Sequence, residues 1–194
     1  MTFRHVLFLG ISSLLFASPL ARAASIDTKD ITYSIEPIIG YELQRKTDPD
    51  RSKLVLTYGA RVIAGYKILS AEAEYTQGKS DEMFSNGNRV EEKSEKIRAG
   101  LRSTYSLGSM LDWFLRAGAE AQKIARTTTT SGVSTTTHLP TNVYPYVGTG
   151  VSIALGSQLS VNASVLATLK DLNDLKQTEY TTTLGVKIAL NTGR

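Results

Sequence analysis

Residues 54–75 read LVLTYGARVIAGYKILSAEAEY. Up to Tyr66 the even positions are apolar: Leu54, Leu56, Tyr58, Ala60, Val62, Ala64 and Tyr66. From Leu69 onward the odd positions are: Leu69, Ala71, Ala73 and Tyr75. Alternation with period two marks a strand with one apolar face. The change of parity falls across Lys67-Ile68. The residues flanking a two-residue hairpin turn pair and point to one side, so an antiparallel hairpin requires this change of parity there.

The same alternation recurs along the chain. Odd positions are free of charge in 31–43, 97–105, 113–121, 143–155 and 159–169, and even positions in 180–190. With the first hairpin this predicts eight strands. The opposite face carries Glu36, Glu42, Arg61, Glu72, Glu74, Arg98, Arg102, Arg116, Glu120 and Lys187, interspersed with Gly40, Gly59, Gly100, Gly118, Gly148, Gly150 and Gly185. Ile38, Val55, Ile63, Phe114 and Leu166 share that face. Connections are expected at 44–53, 67–68, 77–96, 106–112, 123–142, 156–158 and 170–179, alternately long and short. An up-and-down antiparallel barrel with both termini at one rim produces that order, and outer-membrane barrels place their short turns in the periplasm.

Alternation alone leaves the sidedness open. A soluble periplasmic ligand-binding barrel turns its apolar face inward, whereas a membrane barrel turns it outward. Three features favour outward. An inward apolar face would leave the glycine-rich backbone facing water. The charges of the other face are balanced in sign, as a narrow lumen demands of buried ions. The aromatics sit near strand ends, as interfacial girdles do: Tyr33, Tyr66, Tyr105 and Trp113 toward the periplasmic rim, and Tyr41, Tyr75 and Tyr180 toward the outer one. Tyr58 falls between the two groups.

The first 23 residues have the order of a secretory signal: a basic start containing Arg4, an apolar core from Val6 to Ala17, and Ala21-Arg22-Ala23 as a small-residue cleavage site. The apolar core is shorter than the ~20 residues of a membrane-spanning helix. Cleavage after Ala23 is expected, giving a leader of 1–23 and a barrel domain of 24–194. The chain has 22 Lys+Arg against 18 Asp+Glu. Two of those cations lie in the leader, so the mature balance is small and no nucleic-acid partner is predicted. There is no cysteine, which excludes thiol catalysis, disulfides, thiolate metal sites and a lipoprotein anchor.

The pattern resembles the small OmpA/OmpX-type outer-membrane barrels. The stretches that carry the resemblance are IEPIIGYEL (35–43), AEAEYTQGKS (71–80) and IRAGLRSTY (97–105). It spans residues 31–191 and is one of pattern, without a diagnostic motif. It implies an eight-stranded antiparallel transmembrane barrel, a monomer, among outer-membrane lipid and lipopolysaccharide. Many such barrels end on an aromatic residue, whereas this sequence ends Asn191-Thr192-Gly193-Arg194. Pro37 and Pro145 fall within strands and predict bulges or local unpairing, because proline lacks a ladder donor.

No catalytic residue, cofactor or metal site is predicted. His138 is the one histidine after the leader. Barrel-type lipid A deacylases carry a histidine and a serine two apart, and here the residue two after His138 is Pro140. The inward charges fit an ion-pair plug, with a narrow porin-like channel as the alternative. The loop TTTTSGVSTTT (127–137) favours extended structure and is a candidate surface for cell-surface or phage ligands. Loop 77–96 is expected to be mobile.

Overall fold

A computed structural model describes residues 31–47, 50–84, 88–171, 174 and 177–190. The expected leader and residues 191–194 lie outside the described residues. The strands are β1 (Thr32–Thr47), β2 (Asp50–Gly65), β3 (Leu69–Met83), β4 (Arg89–Ser106), β5 (Leu111–Thr130), β6 (Val133–His138), β7 (Asn142–Ala154), β8 (Leu159–Thr168) and β9 (Glu179–Ala189). All pairings are antiparallel; β1 through β6 and β7 through β9 each lie beside their chain neighbours, and β1 closes on β9. β6 and β7 share one place in the wall, both pairing with β5, so the closed ring has eight strands.

The register fixes the barrel's dimensions. Tyr33 pairs with Ala64, and the row continues through Ala71, Leu101, Ala117, Val147, Ala167 and Tyr180, which pairs with Leu43. One circuit thus climbs ten residues along β1. With a rise of about 3.3 Å per residue and strands about 4.8 Å apart, this shear tilts the strands by about 40° and sets a backbone radius of about 8 Å. Side chains alone fill such a lumen.

Every residue of that circuit is uncharged, and the large apolar side chains of this face are exposed on the outside, Leu54, Val62, Ile97, Val147 and Leu184 among them. The inner face holds the charges together with Ile38, Val55, Ile63, Phe114 and Leu166, all buried. The apolar face therefore points outward, which overturns the soluble-barrel alternative.

Three hairpin turns cluster at one rim: Tyr66 donates to Leu69 across Lys67-Ile68, Leu107 to Leu111, and Leu155 to Leu159. At the other rim the strands run further than the alternation indicates, a correction to the expected loops. The β1–β2 ladder continues to Thr47 opposite Asp50, the β3–β4 ladder to Met83 opposite Arg89, and β5–β6 to Thr130 opposite Val133. The outward face turns polar at the row Gln77, Glu95 and Lys123. Beyond it both faces are mainly polar, so the ladder persists while the alternation that reveals a strand disappears.

The prolines act as gaps. The β1–β9 ladder skips from Ile35 opposite Ile188 to Ile38 opposite Gly185, leaving Pro37 unpaired on that side without a bulge. Pro145 stands where the β7–β8 ladder ends, its carbonyl accepting from Leu169. A bulge does occur between β6 and β7, where one extra residue separates His138 opposite Ala125 from Asn142 opposite Gln122.

Candidate functional site

The register carries an alternating belt of charge. Glu36 on β1 stands opposite Arg61 on β2, Arg61 opposite Glu74 on β3, Glu74 opposite Arg98 on β4, and Arg98 opposite Glu120 on β5. Five neighbouring strands thus present −, +, −, +, − at directly facing positions, where cross-strand partners are closest. Side-chain contacts follow. Arg61 donates to Glu36 at 3.0 Å and to Glu74 at 2.8 Å. Arg98 donates to Glu120 at 2.5 Å and also to Glu74. Arg116 on β5 reaches past β4 to Glu74 at 2.8 Å and Glu72 at 2.6 Å. Glu74 therefore accepts from three arginines. Its exposure is 3% and that of Arg61 is 0%, so these charges lie away from water and depend on one another.

Neutral donors complete the carboxylates. Asn162 donates to Glu36 at 2.8 Å, Tyr146 to Glu72 at 2.9 Å and Thr168 to Glu120 at 3.2 Å. Nearer the extended rim, Lys96 lies 2.7 Å from Glu42, 3.1 Å from Glu179 and 3.4 Å from Glu120. Gln44 donates to Glu42 at 2.7 Å, and Lys170 binds Glu179. The inner glycines make room for these groups: a Cβ at Gly100 would stand 2.4 Å from the Tyr146 hydroxyl, and one at Gly185 2.3 Å from Glu36 Oε1.

Of the ten lumen charges named from the sequence, nine are buried. Lys187 is half-buried and lines a cavity at the short-turn rim. Among the described residues it makes no ion pair within 4.0 Å. Sequence reasoning missed Lys96 and Glu179, which it placed at the edges of loops. Both continue the parity of the polar face, Lys96 two before Arg98 and Glu179 two before Thr181. It also missed Tyr146, whose position between outward Pro145 and Val147 was the available signal. Of the aromatics, Tyr33, Tyr41, Tyr75, Tyr105, Trp113 and Tyr180 are exposed on the outer face. Tyr66 differs: it follows β2 and lines the cavity, half-buried. Tyr105 and Trp113 stack with ring centroids 5.6 Å apart.

Beyond the apolar belt the wall divides. The β2–β3 ladder reaches only Thr57 opposite Gly78, while β3, β4, β5 and β6 continue as a four-stranded sheet. Its tip turns at Ser131-Gly132, both with positive φ (52° and 82°), the backbone that a two-residue type I′ hairpin needs. Hydroxyl pairs tie the hairpin together, Thr127 to Thr136 at 2.9 Å and Thr129 to Ser134 at 2.8 Å. Among the described residues β6 pairs with β5 alone, so its other edge is open. All six β6 residues, His138 included, are exposed.

An outward apolar band, a closed ring and a charged interior define a small transmembrane β-barrel. The family model described as "Outer membrane protein beta-barrel domain" matches residues 12–187. The chain belongs to that family, and its place is the bacterial outer membrane. No curated protein matches the sequence. Among solved structures, Neisserial surface protein A (NspA) is 16% identical over 81% of this chain and 96% of its own, with a TM-score of 0.61. Ail of Yersinia pestis, the attachment invasion locus protein, solved with the heparin analogue sucrose octasulfate, is 13% identical over 82% and 97%, TM-score 0.56. The N-terminal β-barrel domain of Pseudomonas aeruginosa OprF is 15% identical over 82% and 97%, TM-score 0.55. These likenesses concern the fold.

Proposed function

We propose that this protein is a non-enzymatic surface-interaction barrel: the ion-pair network plugs the lumen, and the protruding β3–β6 sheet meets ligands on other cell surfaces. The observation that carries the reading is the open, fully exposed edge of β6. An unpaired strand edge is a template for pairing with another chain, and it stands beyond the apolar belt, on the side opposite the short turns. A barrel of similar fold, Ail, bears the name attachment invasion locus protein, which adds support. Radius and occupancy support the plug. A lumen about 8 Å in backbone radius is crossed at that level by side chains from Glu36, Arg61, Glu74, Arg98, Arg116 and Glu120 in mutual contact.

Cells displaying the protein and cells displaying a variant lacking residues 127–137 are compared for attachment to neighbouring cells. Attachment lost in the variant, with the heat-modifiable gel shift of a folded barrel retained, is the expected result; undiminished attachment refutes the assignment to this hairpin. The purified barrel in planar bilayers is expected to show no conductance. Conductance that changes on Glu72→Gln or Arg98→Gln replaces the plug with a narrow channel. Export with cleavage after Ala23 belongs to the same proposal, and protein from the outer-membrane fraction should begin at Ala24.

A further inference from the structure

At the short-turn rim the charge pattern breaks. Arg102 on β4 stands directly opposite Arg116 on β5, like charges where the belt elsewhere alternates. Arg116 turns to Glu72 and Glu74, and Arg102 is left without an equivalent partner. Its nearest carboxylate oxygen, on Glu36, is 3.9 Å away, and Glu36 already receives Arg61 and Asn162. Neither Nη1 nor Nη2 of Arg102 has a hydrogen-bond partner among the described residues. The guanidinium lies 3.5 Å over the Phe114 ring, and the residue is 2% exposed. A buried cation left in this state is costly.

Arg102 and Lys187 both line a cavity of about 240 Å³, several times the ~30 Å³ that one water takes up in the liquid. Three buried serines, Ser34, Ser152 and Ser160, line the same space, beside Ser70, whose hydroxyl donates to the Arg102 carbonyl. Lys67 adds a third cation at the mouth, 3.6 Å from Asp112, the one acidic side chain in the lining. Positive charge is in excess, hydroxyl donors surround it, and a guanidinium fork suits phosphate oxygens.

We infer that the periplasmic mouth of the barrel is a binding site for a phosphate-class oxyanion, held between Arg102 and Lys187 with the serine hydroxyls as further donors. The side follows from the short turns, which outer-membrane barrels direct to the periplasm. The anion supplies the partner that the Arg102–Arg116 juxtaposition lacks. Free inorganic phosphate and the headgroup of a phosphomonoester lipid present the same chemistry.

The test is calorimetric titration of the full chain, folded in lipid-free nonionic detergent, with inorganic phosphate at constant ionic strength, and in a second arm with micelles containing phosphatidate. Saturable binding of inorganic phosphate assigns a free anion; binding of phosphatidate alone assigns a headgroup. In either case Lys187→Gln and Arg102→Gln should weaken it about ten- to hundredfold, the value of one charge-assisted hydrogen bond. Lys187→Gln removes no ion pair, so this variant decides the matter even where Arg102→Gln fails to give a heat-modifiable barrel. Binding of neither ligand by the wild type, or undiminished binding by Lys187→Gln, overturns the inference.

Discussion

Replacing Glu74 with glutamine tests the energetics of the belt at its most connected point. The substitution keeps shape and volume, so no cavity forms and the change is electrostatic. Glu74 accepts hydrogen bonds from Arg61 and Arg116, each at 2.8 Å, and from Arg98. Removing its charge leaves three buried guanidiniums with one carboxylate each: Glu36 for Arg61, Glu72 for Arg116 and Glu120 for Arg98. Breaking a buried pair by removing one partner costs roughly 3–5 kcal/mol. The remaining carboxylates soften the loss, which places the expected cost near the lower end, about 3 kcal/mol. Urea titration of the barrel in detergent measures it, with Trp113, the only tryptophan, reporting unfolding from the outer face. The double variant with Arg98→Gln should fall short of additivity by about 1–3 kcal/mol, because the two residues share one network. A loss below about 1 kcal/mol for Glu74→Gln is what solvent-exposed pairs give, and it would refute a dry, mutually dependent belt.

The outward face predicts that Val62→Arg or Val151→Arg costs roughly 2–4 kcal/mol in a bilayer; no loss of stability in vesicle refolding would contradict the sidedness. Gly100→Val places a Cβ 2.3 Å from the Ala117 carbonyl and 2.4 Å from the Tyr146 hydroxyl, so a loss of about 1–3 kcal/mol from overpacking is expected in the same urea titration. On the protruding sheet, the hydrogen bond from Arg89 holds the Asp81 carboxyl below the usual carboxylate range. A lowered folded-state pKa stabilises above the unfolded value and is lost as pH falls through the folded one. The β3–β4 tip should therefore keep this contact at neutral and mildly acidic pH and lose it only below about pH 4. Carboxyl carbon NMR should show the Asp81 midpoint rising in Arg89→Gln, and an unchanged midpoint would remove Arg89 as the cause.

How much was legible follows from where each signal resides. The eight strands and their outward faces were readable because lipid imposes alternation on every residue between the two rims. One ladder's register was readable too. The two-residue turn Lys67-Ile68 sets Tyr66 against Leu69, and counting back from it sets Arg61 against Glu74. The other links of the belt were hidden, since Glu36–Arg61 and Glu74–Arg98 are joined through polar stretches whose strands carry no alternation. The same loss of signal placed Lys96 and Glu179 in loops. The open edge of β6 depends on which strands stop early, and that is a property of the assembled wall. The threonine run did indicate extended structure, because β-branched side chains fit a pleated surface.

The belt also explains why the interior is ionic when hydrocarbon would pack as well. Replacing buried ion pairs by well-fitted apolar residues is often neutral or stabilising, so stability alone gives little reason for them. Register does. Side chains alternate with period two, and a slip of one residue in any strand exchanges its inner and outer faces. With an apolar interior, a slipped strand would still show lipid an acceptable surface. Here a slip of β4 sends Lys96, Arg98 and Arg102 outward together, at roughly 2–4 kcal/mol for each charge near the bilayer midplane, and strands their carboxylate partners inside. A slip of two residues keeps the faces; in one direction it sets Gly100 opposite Glu74 and Glu120, which lose their cation on β4, and in the other it sets Lys96 between those two carboxylates and Arg98 opposite Glu72. The belt therefore penalises a one-residue slip through lipid and a two-residue slip in one direction through charge. Arg102 and Arg116 are a facing pair of the buried interior that this logic does not justify, and Arg102 lines a cavity with room for an anion.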